Sequence, residues 1–236
     1  PRKNLERTVE WLVEEFYDQK IGIVLKINFK NDSTIDRYLT EDRLRAQLNQ
    51  SYPDRKCKVY LLHGNLTNEQ LSGLYQNDKI KALVSLSHGE GFGLPMFEAS
   101  YYGLPVICPD WGGQLDFLYI PVTNKKGKVK NKAHFVKVDY DLKKIHKDAV
   151  WEPVLIKESS WCYPKQGSFK MKCRELKKNY STYKSKAEKL QNYILVNFAK
   201  EEKYKEFNSH LDEFIIPEAP QKEVDSMFED LLKEAK

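Results

Sequence analysis

The spacing of hydrophobic positions changes along this chain, and each change marks a new element. Near the start, Leu5, Val9, Leu12, Val13 and Phe16 recur three and four residues apart, which places them on one face of an amphipathic helix. The run Ile21 to Phe29, IGIVLKINF, is apolar and β-branched, as strands are. Ile35 to Gln50 reads as a helix and Lys58 to Gly64, KVYLLHG, as a second strand. Thr67 precedes Gln70 by three residues, the spacing of a capping box, and predicts a helix start. Ala82 to Ser87 predicts a strand, Leu94 to Gly103 a helix, and LPVICPD, ending at Asp110, another strand. Ala133 to Tyr140 predicts one more.

Short apolar strands alternating with helices are expected in a parallel sheet covered on both faces. The fold class this predicts is α/β, a doubly wound parallel sheet of Rossmann type over residues 1–170. Ligands of such a sheet gather at the carboxyl ends of its strands. The pattern shifts after Tyr119. TNKKGKVKNKAH is a lysine-rich, turn-like insert that reads as a hairpin. From Met171 the chain reads as a helical C-terminal tail over residues 171–236, with Tyr183, Ala187, Leu190 and Ile194 as one apolar stripe. Pro217 and Pro220 interrupt it before a last helix, Glu223 to Lys236.

Composition narrows the class. With 41% hydrophobic and 31% charged residues among 236, the chain can bury a core and stay in solution. No apolar run reaches the roughly 20 residues of a membrane span, and the start carries no secretory leader pattern. A net charge of +5 gives no signature of nucleic-acid binding. Cys57, Cys108, Cys162 and Cys173 are widely spaced, as expected of reduced thiols in a cytoplasmic protein. The chain opens on PRKNLERTVEWL, almost inside a helix, so a preceding segment, including a first strand, is expected.

The chemistry concentrates in SLSHGEGFGLPMFEASYYGLPVICPDWGG, Ser85 to Gly113. A strand runs into Gly89, Gly91 and Gly93, and Pro95 suits the first turn of a helix. Backbone N–H groups at such a junction lack partners, and the helix dipole adds positive charge, so a diphosphate fits there. Glu90 and Glu98 flank the turn. A carboxylate repels phosphate but accepts hydrogen bonds from a pair of hydroxyls. A ligand with a diphosphate in the middle and diols at either end matches, and a nucleotide sugar has that form. A dinucleotide fingerprint requires G-x-G-x-x-G, and GEGFG has the wrong spacing.

This stretch resembles the donor-site motif of the retaining, group 1 nucleotide-sugar glycosyltransferases of GT-B fold. EGFGLPMFEA, GLPVI and the GG of DWGGQLDF follow that pattern in order and spacing. PRKN resembles the start of that family's C-terminal domain, and LLHGNLTNEQLSGLY its nucleotide-side loop and helix. The likeness covers roughly residues 1–120. From VWEPVLIKESSWCYPKQGSFKMK onward it is looser and similar to phage-encoded relatives.

The resemblance implies retaining transfer of a sugar from a nucleotide diphosphate to an acceptor hydroxyl. In it Glu90 contacts the donor sugar and Lys3, with Arg2, neutralises the leaving diphosphate; Glu90 and Lys3 are the catalytic candidates. Glu98 grips the ribose, the amides around Gly91, Phe92, Gly93 and Leu94 meet sugar hydroxyls and diphosphate, and Gly64, Asn65 and Leu66 lie near the base. No metal and no cofactor beyond the donor are implied. The acceptor site is expected on a missing N-terminal domain. Two alternatives stay open: a nucleotide-sugar-binding module or partial subunit inactive alone, and a sugar-nucleotide epimerase. The five histidines show no ligand spacing, although His88 precedes the turn. The cluster Lys125–Lys132 reads as a solvated hairpin or as an attractor for an anionic acceptor or membrane surface. Trp151, Trp161, Tyr163 and Phe169 read as packing of the tail, or as a stacking platform.

Overall fold

The computed structural model describes residues 2–212, 214 and 233. Pro217, Pro220 and, apart from Lys233, the helix expected over Glu223–Lys236 lie outside the described residues. The chain divides into two compact units, Pro1–Leu195 and Val196–Lys236.

The first unit opens with helix α1 (Leu5–Phe16), which buries Val9, Trp11, Leu12 and Val13. Strand β1 (Gly22–Lys26), helix α2 (Thr34–Ser51) and strand β2 (Lys58–Leu62) follow, and β1 pairs with β2 in parallel, Gly22 opposite Lys58 through Lys26 opposite Leu62. Helix α3 (Asn68–Gln76) starts with the expected capping box: Thr67 accepts from the Gln70 amide, and the Gln70 side chain accepts from the Thr67 amide. Strand β3 (Leu83–Val84), helix α4 (Leu94–Tyr101), strand β4 (Val106–Pro109) and short helix α5 (Leu115–Leu118) come next. Strands β5 (Tyr119–Thr123) and β6 (Val129–Ala133) form the antiparallel lysine-rich hairpin, with Gly127 at φ 75° in its turn. Strand β7 (Val136–Val138) joins β3 and β4 in a second parallel ladder, ordered β3-β4-β7.

The α/β class with parallel strands holds, but among the described residues the strands form two ladders with no pairing between β1 and β3. Both ladders feed one core: Ile23 and Leu25 of β1, Ile107 of β4 and Val136 and Val138 of β7 cluster with α1. Coverage differs between them. β4 is buried at all four positions, so its apolar run was informative. β1 buries Ile23 and Leu25 but leaves Val24 39% exposed, and on β2 Tyr60 is 52% exposed. That ladder is covered on one face, and its alternation shows it. The strand expected over Ala133–Tyr140 breaks at Asp139, where β7 ends and strand β8 (Tyr140–Lys144) leaves to pair antiparallel with strand β9 (Ser160–Pro164).

Helix α6 (Gln166–Lys178) spans the boundary drawn at residue 170 from sequence. It buries Phe169, Cys173 and Leu176 in the α1 core. Arg174 donates twice, at 2.7 Å each, to the buried carboxylate of Glu15 on α1. Helix α7 (Tyr180–Asn197) buries Ala187, Leu190 and Ile194, the stripe read from sequence. The compact unit therefore runs on to Leu195. In the second unit, helix α8 (Lys200–Leu211) holds local ion pairs such as Lys203 with Glu206. All four cysteines are free and buried.

Candidate functional site

The glycine turn is built from both sides. Gly93 caps α4 at φ 86°, a conformation glycine adopts without steric cost. Its carbonyl accepts from the amides of Met96 and Phe97. Pro95 sits in the first turn of α4, as the sequence predicted. Gly91, Phe92 and Leu94 are exposed, Phe92 at 41% and Leu94 at 59%, so this helix start opens to solvent. Behind it stands the double glycine. The Gly113 amide donates to the Glu90 carbonyl at 3.0 Å. A Cβ on Gly113 would fall 1.8 Å from the Gly91 carbonyl oxygen. EGFG and WGG are thus two halves of one piece.

Glu90 meets its partners across more than eighty residues of chain. Lys3 Nζ donates to Glu90 Oε1 at 2.6 Å and Arg2 Nη1 to Oε2 at 3.0 Å, while the same Arg2 nitrogen donates to the Gly89 carbonyl at 2.6 Å. Backbone bonds fix this arrangement. The His88 amide donates to the Arg2 carbonyl at 2.9 Å, and Asn4 Nδ2 donates to the Leu86 carbonyl at 3.1 Å. Asn4 adopts φ 52°, a left-handed turn that asparagine tolerates and that swings the chain from the site into α1. Burial pushes the Glu90 carboxyl up, but hydrogen bonds from Lys3, Arg2 and Ser87 and the Lys3 charge together hold it below its ordinary value of 4.5.

A depressed carboxylate contributes stability that is present above the unfolded pKa and lost as pH falls through the folded one. The melting temperature of Glu90→Gln is therefore expected to lie below that of the natural chain at neutral pH. The gap should close on acidification below about pH 4.5. A gap that stays constant with pH would show that the ion pairs do not stabilise the turn.

Glu98 is held from the other flank. Half-buried on α4, it accepts through Oε2 from the Tyr75 hydroxyl of α3 at 3.0 Å. Burial, then the charge and hydrogen bond of Glu98, push the Tyr75 phenol well above its ordinary range. Tyr75 stays protonated and donates, stacked on Tyr102 with ring centroids 6.0 Å apart. Sequence reading did not single out Tyr75; its place on the last turn of a helix that begins at the nucleotide-side loop was the available signal.

Gly64, Asn65 and Leu66 follow β2 at its carboxyl end. Gly64 adopts φ 88°, and its carbonyl accepts from Lys26 Nζ at 2.5 Å. Asn65 donates to Asp32 at 2.8 Å. Buried Asp36 holds the wall behind them, accepting from the amides of Phe29 and Lys30 and pairing with His63 Nε2 at 2.8 Å. These bonds tie Gly64 and Asn65 to the end of β1 and the loop after it, and not to the Glu90 group. His88 is a packed histidine: its Nδ1 lies 2.7 Å from the Cys162 carbonyl, its ring stacks on Trp161 and tilts against Tyr163, and the Cys162 amide donates back to its carbonyl. Strand β9 therefore braces the loop. Phe169 and Trp161 pack as expected, whereas Trp151 is 67% exposed.

Residues 54–121 match the family described as glycosyl transferases group 1, a range that holds Gly64 to Leu66 and Glu90 to Glu98 but not Arg2 and Lys3. Over 113 residues the chain is 36% identical to the serotype-specific mannosyltransferase WbdA of Escherichia coli, covering 47% of this chain and 12% of that protein. A second WbdA from the same species is 34% identical over 110 residues, with the same coverage. The chain thus aligns with about an eighth of the length of these relatives. A chain in the crystal structure of a GtfA/B complex aligns over 83% of this chain and 36% of its own length, at 15% identity and a TM-score of 0.45. Residues 54–121, which include the glycine turn, Glu90 and Glu98, thus resemble the group 1 glycosyltransferase family.

Proposed function

We propose that this domain forms the donor side of a retaining glycosyltransferase and binds a nucleotide diphosphate sugar. The observation that carries the reading is the meeting of Arg2 and Lys3 with Glu90 at the exposed start of α4. Free amides and the positive end of a helix dipole suit a diphosphate, and two cations stand beside it. Glu98, oriented by Tyr75, offers an acceptor for the ribose hydroxyls, and Gly64 to Leu66 flank the base. Glu90, charge-neutralised on both oxygens, is a poor nucleophile and a good hydrogen-bond acceptor for sugar hydroxyls. Catalysis in this reading comes from positioning and from stabilising the departing diphosphate. Retention at the anomeric carbon rests on the family resemblance.

The acceptor site belongs to a further domain or subunit in this reading, in keeping with the short alignment to WbdA. Free, buried cysteines and a nucleotide donor fit a cytoplasmic setting. Calorimetric titration with uridine, guanosine and adenosine diphosphate sugars tests the proposal. One donor is expected to bind better than its nucleoside monophosphate. Indifference to all of them would overturn it.

Tyr75→Phe keeps the ring against Tyr102 and removes one hydroxyl. Loss of a hydrogen bond to a charged group costs roughly 1–2 kcal/mol, so donor affinity is expected to fall about tenfold. The same titration should show the loss for ribonucleotide donors and a smaller one for their 2′,3′-dideoxy analogues. Equal losses would deny Glu98 its ribose contact.

A further inference from the structure

From Phe117 to Val138 the chain contains six lysines and no acidic residue. Five of them, Lys125, Lys126, Lys128, Lys130 and Lys132, lie on the β5–β6 hairpin, and all five are exposed. Among the described residues none of the five forms an ion pair; Lys137, the sixth, pairs with Asp110 at 2.9 Å. The hairpin is ordered at its tip, where Asn124 Oδ1 accepts from the amides of Lys126 and Lys128.

Alternation along β6 and the residue before it places Lys128, Lys130 and Lys132 on one face, successive members roughly 6–7 Å apart. Lys130 stands opposite Val122 and Lys132 opposite Ile120, so the aliphatic stems can lie over apolar neighbours while the ammonium groups reach outward. Charges from α7 reach the base of the hairpin. His134, just after the hairpin, bonds through Nδ1 to the Lys132 carbonyl at 2.8 Å. Burial holds its imidazole below the ordinary value, and the charges of Lys186, Lys189 and Lys132 act in the same direction. Two elements thus bring lysines to one place.

We propose that this face is a peripheral docking surface for an anionic lipid bilayer. The composition of the patch selects the partner. It contains no arginine, whose fork recognises individual phosphates bidentately. Stacking platforms for single-stranded nucleic acid need exposed aromatic rings among the cations, and the five-lysine segment has none. Hydrated point charges on flexible stems suit the smeared potential of an anionic leaflet, whose attraction adds lysine by lysine and decays within a Debye length.

The test is cosedimentation of the chain with phosphatidylcholine vesicles, with and without about 30% phosphatidylglycerol, at roughly 0.05 and 0.5 M salt. Binding is expected only to the anionic vesicles at low salt. The variant K125Q/K126Q/K128Q/K130Q/K132Q is expected to lose at least about a hundredfold in affinity with an unchanged circular dichroism spectrum. K20Q/K30Q/K79Q/K147Q/K157Q removes the same charge from other exposed sites and should keep most of the binding. The proposal fails if anionic vesicles do not retain the chain or if the two variants bind alike. It fails equally if a single-stranded oligonucleotide binds more tightly than the vesicles.

Discussion

Gly113→Ala is expected to be among the most damaging single-atom additions to this protein. A methyl group there would stand 1.8 Å from the Gly91 carbonyl oxygen and 2.6 Å from its carbonyl carbon. Both are backbone atoms, so no rotamer change relieves the overlap and the glycine turn itself has to move. A forced shift of this kind costs about 3 kcal/mol, or roughly 6–12 °C in melting temperature for a domain of this size. The Gly113 amide would also lose its bond to the Glu90 carbonyl, and the glycine turn would open with it. Gly73→Ala is the control. Nothing lies within 4 Å of a Cβ at Gly73 in the middle of α3, and alanine there is expected to stabilise by about 0.5–1 kcal/mol. Thermal melts of the two variants should move in opposite directions. A Gly113→Ala chain that melts like the natural one would mean that WGG and EGFG do not share a packed turn.

That contact also shows what the sequence could disclose. The order strand, glycine turn, helix was legible at Leu83–Tyr101, although the strand itself is only Leu83–Val84 and not the whole of Ala82–Ser87, because punctuation by Gly and Pro and capping chemistry act within a few residues. The capping box at Thr67 was legible for the same reason. The β3–β4 core was legible because β4 is buried throughout. Pairings between distant residues were not visible. Arg2 with Glu90 spans 88 residues and Tyr75 with Glu98 spans 23, and no local pattern encodes either. The packing of α6 against α1 was hard to read because α6 carries its apolar residues among lysines. Phe169, Cys173 and Leu176 supply its apolar contact with the α1 core, and a composition rich in Lys hides so narrow a stripe.

The second large effect is expected at Glu90, and it differs between two ligands. Glu90→Gln preserves shape but removes the charge that now occupies Lys3 and Arg2 at 2.6 and 3.0 Å. Two cations at a helix start would be left without a counterion. A nucleoside diphosphate, which brings its own charge and needs no sugar contact, should then bind more tightly, by about tenfold. The corresponding nucleotide sugar should gain less or lose, because an amide oxygen is a weaker acceptor for its hydroxyls than a carboxylate. Any transfer rate measured with the acceptor-binding part present should drop by about 10²–10³, the scale of removing one preorganised polar contact to the reacting group. Lys3→Met should do the reverse to the diphosphate, weakening it. Calorimetry on the free diphosphate and its sugar ester, side by side, separates these outcomes. If Glu90→Gln weakened both ligands equally, Glu90 would be a clamp for the N-terminal turn alone. Arg2 and Lys3 would then be its anchors, and neither would serve as counterion to a leaving group.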